Sequence, residues 1–158
     1  MNKGVNPLKT AIVYCSQHHG NTKKLLDAIA AQGDVTLIDA AAVQSANLAP
    51  YELIGLASGI YYQKYHQSVM KFAQQNLPRD KKVFLVYTYG IKRPGYANAI
   101  AEIVRGKGGD LLGEYGCPGF DTFGPFKLIG GIAKGRPNEG DIADGVSFFY
   151  GLVQGAQK

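Results

Sequence analysis

Apolar and polar positions fall in blocks that switch between two periods along the chain. Thr10–Cys15 is a short, partly β-branched apolar run, the pattern of a strand buried on both faces. From Thr22 to Gln32 the period lengthens. Leu25, Leu26 and Ile29 share one helical face there, while Lys23, Lys24 and Asp27 face outward. Val35–Ile38 predicts a second strand, and after an alanine-rich connection to Pro50, Leu53–Ala57 predicts a third. "SGIYYQKYH" follows, then a helix with Tyr65, Val69, Phe72 and Ala73 inward that ends before Pro78. "KKVFLVYT" is the clearest strand of all. Tyr96–Arg105 predicts a helix with Ala97, Ile100, Ala101 and Val104 inward, and Asp110–Tyr115 a fifth strand. The stretch from Gly116 to Asn138, rich in Gly, Pro and Phe, predicts irregular structure. A last helix has Ile142, Val146, Phe149, Tyr150 and Val153 on one face, and Asn138 with Asp141 forms a capping-box-like pair at its start.

Five strands separated by helical segments imply right-handed crossovers and a parallel sheet covered on both faces. The expected fold is therefore α/β, a three-layer αβα sandwich around a five-stranded parallel sheet. At 158 residues and 46% hydrophobic, without repeat or linker, the chain (residues 1–158) is expected to be a single domain. No run approaches the ~18 apolar residues of a membrane span, and "MNKGVNPLKT" lacks the apolar stretch of a signal peptide. A cytoplasmic protein without a membrane partner is expected, as a monomer or weak dimer. Its two cysteines, Cys15 and Cys117, then read as free, partly buried thiols. Seventeen Lys plus Arg against twelve Asp plus Glu give a formal charge of +5. The cations are scattered, in pairs at most, with no aromatic-interleaved stripe, which argues against nucleic acid and leaves an acidic or anionic partner open.

Parallel sheets of this kind bind ligands outside the carboxyl ends of their strands. The segments there are "SQHHGNT", "SGIYYQKYH" and "TYGIKRPGY", rich in Gly, hydroxyls and tyrosine. The first feeds a helix N-terminus, whose orphan amides and macrodipole favour an anion. Gly20 permits close approach, and Ser16, Asn21 and Thr22 add neutral donors, a set that suits a phosphate monoester held without a metal. Neither a Walker pattern nor a G-x-G-x-x-G follows the first strand. The blander alternative is that Asn21 or Thr22 merely caps the helix. His18 and His19 are adjacent, so their side chains diverge, and no metal site is expected. Tyr61, Tyr62 and Tyr89 at the same rim suit a flat conjugated ring, although each could equally be ordinary packing. The absence of carboxylates at the ends of strands one and three argues against a phosphoacceptor module.

"IVYCSQHHGNTKKL" resembles the phosphate loop of flavodoxins, written T/S-x-T-G-x-T. "LASGIYY" resembles their second flavin loop and "VYTYGIKRPGYANAI" their third; the tail "GEYGCPGFDTFGPFKLIGGIAKGRPNEGDI" is similar to that of short flavodoxin-family proteins. The resemblance implies strand order 2-1-3-4-5 and noncovalent flavin mononucleotide (FMN). It implies that Ser16, His18, His19, Gly20, Asn21 and Thr22 form the phosphate loop. Ser58, Gly59 and Ile60 would border the ring's polar edge, Tyr61 or Tyr62 would cover one face, and Thr88, Tyr89 and Gly90 the other side. That order sets Cys15 and Cys117 three strands apart, ~14 Å, too far for a disulfide. Cys117 reads as structural, and Arg136 and Asp121 as exposed candidates for partner contact. Three features depart from the family pattern: His19 replaces a threonine, tryptophan is absent, and the chain is basic. The implied function is electron transfer between redox proteins, these being open to acidic examples, with no catalytic residue. The alternative is an NAD(P)H-dependent FMN/quinone reductase of the same fold.

Overall fold

The computed structural model describes residues 8–17, 19–122 and 124–157. Its elements in chain order are β1 (Thr10–Cys15), α1 (Asn21–Ala30), β2 (Val35–Asp39), β3 (Leu53–Tyr61), β4 (Lys64–Tyr65) and α2 (Gln67–Asn76). They continue with β5 (Lys82–Tyr89), α3 (Asn98–Gly106), β6 (Asp110–Pro118), a 3-10 turn (Gly124–Ile129) and α4 (Glu139–Ala156). The five long strands are all parallel and lie in the order β2-β1-β3-β5-β6. With the short hairpin strand β4 set aside, this is the expected 2-1-3-4-5 arrangement. Among the described residues no helix is long and apolar enough to cross a membrane.

Period-2 alternation splits β1 between two cores. Ala11, Val13 and Cys15 join Val69, Phe72, Ile100 and Val104 on the α2–α3 side. Ile12 and Tyr14 join Leu25, Leu26, Ile29 and Phe149 on the α1–α4 side. Both sets are buried, so the sheet has helices on each face and its strands read as continuous apolar runs. The pairs Cys15↔Ser58, Gly59↔Thr88 and Thr88↔Cys117 bring the carboxyl ends of β1, β3, β5 and β6 to one edge.

Several details differ from the sequence expectation; α3, for one, starts at Asn98 rather than Tyr96. Helix α1 ends at Ala30 rather than Gln32. Strand β3 does not stop at Ala57; it runs on to Tyr61 because Ser58 and Gly59 keep pairing with β5, and Ile60 and Tyr61 then pair back with β4. Tyr65 belongs to that hairpin, not to α2, and its phenol donates to the carbonyls of Leu56 and Val86 at 3.0 Å each. In α4, Tyr150 is 55% exposed; Phe148 instead packs at the core, stacked on Tyr115 with 5.8 Å between ring centres. The capping box at Asn138 and Asp141 is present with both bonds made.

Candidate functional site

A cleft of about 540 Å³, measured out to solvent, opens at the carboxyl edge of the sheet. Loop one contributes Ser16, Asn21 and Thr22 to its wall. Gly20 precedes α1 in the left-handed region, φ 66°, a conformation that glycine adopts without steric cost. His19 is also left-handed, φ 57°. Ser16 Oγ accepts the amide of Lys23 at 3.0 Å, and the hydroxyls of Thr22 and Thr88 meet at 2.9 Å, tying loop one to β5.

The second wall is the β3–β4 hairpin, with Gly59, Ile60, Tyr61 and Tyr62. The Tyr61 ring lies against Gly59 and its hydroxyl accepts the Gln17 amide at 3.1 Å, so loop one and the hairpin are joined across the cleft floor. Tyr62 stands 82% exposed at the tip. The third wall is the end of β5, where Thr88, Tyr89 and Gly90 lie beside Tyr96. Burial raises the phenol pKa of Tyr89, so the ring stays neutral and serves as an apolar surface with a polar tip.

Of the residues expected at the site, Ser58, His19 and Gly20 do not line this cleft, and His18 lies outside the described residues. Ser58 is fully buried: its hydroxyl donates to the Gly59 carbonyl at 2.5 Å and accepts the His66 amide at 2.9 Å. Strand alternation turns it away from the rim and leaves Gly59 facing it. His19 turns sideways, its ring 4.4 Å from that of Phe120 and its nitrogen 2.9 Å from the Thr122 hydroxyl.

A fourth wall was missed. Gly119, Phe120 and Asp121 line the cleft from the segment that the sequence left irregular. Strand β6 continues beyond Tyr115 to Pro118, which carries the chain to the level of Tyr89. Asp121 then bridges Ile132 through paired backbone bonds of 3.0 and 2.8 Å. Asn21 Nδ2 donates to the Phe120 carbonyl at 2.8 Å. A Cβ on Gly119 would fall 2.6 Å from that Nδ2, so the close approach requires glycine. A Gly/Pro/Phe-rich run immediately after a parallel strand was the available signal.

Asp121 and Arg136, expected as exposed partner contacts, are both engaged elsewhere. The Asp121 carboxylate lies in the cleft against Gly90, and the Arg136 guanidinium donates two bonds to Asp141 at 2.5 and 2.7 Å. Cys15 and Cys117 are free and buried. Burial first, then the Asp141 charge, pushes the Cys117 thiol up to about 12, which keeps it protonated and unreactive. Among the described residues no cluster of His, Cys, Asp or Glu could hold a metal ion.

Fold and cleft together define an open-sheet α/β protein with a cleft at the strand-order reversal beside β1 and β3, where such sheets bind ligands. The comparisons narrow this. Residues 11–102 match the flavodoxin domain family, and the chain belongs to that family. It is 36% identical over 149 residues to the uncharacterized protein MJ0298 of Methanocaldococcus jannaschii, covering 93% of this chain and 99% of that one. Oxidised flavodoxin 2 from Bacillus cereus superposes with a TM-score of 0.69 at 19% identity, over 93% of this chain and 99% of the other. A flavodoxin from the domain Archaea does so with a TM-score of 0.63 at 18% identity, over 94% and 99%.

Proposed function

We propose that the cleft binds FMN and that the protein carries electrons between redox proteins. The observation that supports this most directly is the start of α1. Its N-cap residue, Gly20, has no side chain to cap it, and Ser16 Oγ accepts the amide of Lys23 at 3.0 Å. The amides of Asn21 and Thr22 stand beside it in the first turn, at the positive end of the helix dipole, where an anion is favoured. The donor set there is neutral, as expected for a phosphate monoester, and the cleft above it is walled by Tyr61, Tyr62, Tyr89 and Phe120.

In this reading Ser16, Asn21 and Thr22 grip the phosphate, Gly20 turns the backbone into α1 behind them, and Gly59–Tyr62 and Thr88–Gly90 border the ring. When bound, FMN supplies the redox chemistry, accepting and giving up electrons. The chain's own part is to orient the ring, limit its contact with water and set the local field. Gly59 has one carbonyl lone pair engaged by Ser58, which holds that peptide in place and leaves the second for the ring edge. No acid, base or nucleophile is required.

The second reading, an NAD(P)H-dependent FMN/quinone reductase, draws on the exposure of Tyr62, since an open wall would leave room for a nicotinamide. Flavin titration tests both. The flavin-free protein should quench FMN fluorescence at one equivalent and bind riboflavin, which lacks the phosphate, at least about tenfold more weakly. Unquenched FMN with an unmoved melting temperature would overturn the proposal. Steady NADPH oxidation by the loaded protein would favour the reductase.

A further inference from the structure

We infer that the rim of the cleft is a docking face for an acidic redox protein, with the exposed Leu128–Ile129 tip at its apolar centre. This inference rests on the electron-transfer reading above.

Charge is segregated in this chain. Four of the segments at the carboxyl edge of the sheet, 16–24, 58–66, 89–97 and 118–138, contain eight of the seventeen Lys and Arg but one of the twelve Asp and Glu, with Asp39 at the end of β2 and Glu139 and Asp141 at the start of α4 lying just outside them. The exception, Asp121, lies in the cleft wall. The rest of the chain carries more acid than base. Of the rim cations, Lys23 pairs with Asp27 and Arg136 with Asp141. Lys64, Lys92, Arg93, Lys127 and Lys134 are exposed and form no ion pair among the described residues. They stand on three separate segments: the hairpin, the loop after β5 and the loop after β6.

Apolar exposure follows the same map. Tyr62, Ile91, Leu128 and Ile129 are 82%, 41%, 88% and 70% exposed, and four of the six large exposed apolar side chains among the described residues are on these segments. Leu128 and Ile129 cap the excursion that leaves the cleft at Asp121 and returns at Ile132, closed by the Gly131 amide on the Phe126 carbonyl at 2.7 Å. Exposed apolar side chains on the same segments as unpaired charge of one sign suit a protein interface. Its field would steer an anionic partner toward the cleft and repel a cationic one. A spread of cations over three loops, without an aromatic-interleaved basic stripe, favours a protein partner over nucleic acid.

The test uses a plant-type [2Fe–2S] ferredoxin as an acidic probe and a mitochondrial-type cytochrome c as a basic one. Each is titrated into FMN-loaded and flavin-free protein and followed by calorimetry. The ferredoxin should bind both forms, about tenfold or more weakly at ~0.15 M than at ~0.01 M ionic strength. Cytochrome c should not bind. Lys127→Glu with Lys134→Glu, and separately Leu128→Ser, should each weaken ferredoxin binding about tenfold and leave FMN quenching unchanged. Absence of a ferredoxin complex at low ionic strength, insensitivity to these variants, or equally tight binding of cytochrome c, or of an unrelated RNA titrated in the same way, would overturn the inference. Because the flavin-free protein is included, failure to dock is separable from failure to bind FMN.

Discussion

Asp141 holds the far end of the segment that forms the fourth wall of the cleft. Its carboxylate accepts two bonds from Arg136 and one from the Asn138 amide at 2.8 Å, while its carbonyl accepts the Tyr115 hydroxyl at 2.5 Å. The Arg136 guanidinium, above all, holds its carboxyl below the usual carboxylate range. A depressed folded-state pKa stabilises the protein above the unfolded value, about 4, and that stabilisation is lost as pH falls through it and below. Asp141→Asn is therefore expected to cost about 1–3 kcal/mol near neutral pH, a gap to wild type that shrinks toward about pH 3. Denaturant unfolding at the two pH values measures it. A gap that stays constant would remove the ion pair from the account.

At the scale of elements, the β3–β4 hairpin is the least conventional part of the site. The pairs Ile60↔Tyr65 and Tyr61↔Lys64 leave a two-residue turn, Tyr62–Gln63, with φ of 50° and 67°. Both residues are left-handed, the geometry of a type I′ turn, where Asn-Gly or Gly-Gly is the usual choice. No such dipeptide is present, so "SGIYYQKYH" gave no hairpin signal and the strand was expected to end at Ala57. Pairing with β5 and β4 outweighed the local preference. Left-handed backbone costs a non-glycine residue ~1 kcal/mol or more. Gln63→Gly is expected to raise stability by about 1 kcal/mol, read from the denaturation midpoint. A loss would show that the Gln63 side chain, not the backbone, secures the turn.

The whole molecule adds the field. Of the eight rim cations two are paired, with Asp27 and Asp141, and the remaining six against Asp121 place the cleft in positive surroundings, whereas classical flavodoxin carriers are acidic. Reduced flavin is readily anionic, so positive surroundings favour it. One unit charge ~10 Å away contributes roughly 0.4–1.7 kcal/mol for an effective dielectric between 80 and 20. That corresponds to about 20–70 mV per charge for one electron. The fully reduced state of the proposed FMN complex is therefore expected at a less negative potential than in an acidic flavodoxin. Spectroelectrochemical titration checks this, and an equally low value would contradict it.

Periodicity alone settled the alternation of strands and helices, the single core on each face and the edge where three loops meet. These depend on which residues within a few positions are apolar, and local spacing carries that information. The inward places of Leu25, Leu26 and Ile29 were legible for this reason. The resemblance to flavodoxins added the strand order. Only the tertiary structure decided that Ser58 turns inward, that Tyr65 bonds two strands, and that Gly119, Phe120 and Asp121 close the cleft. Those outcomes rest on contacts between distant residues, such as Asn21 with Phe120, 99 positions apart, and His19 with Thr122, 103 apart. No local pattern encodes such pairs, because each residue's environment is set by strands and loops that reach it from elsewhere in the chain.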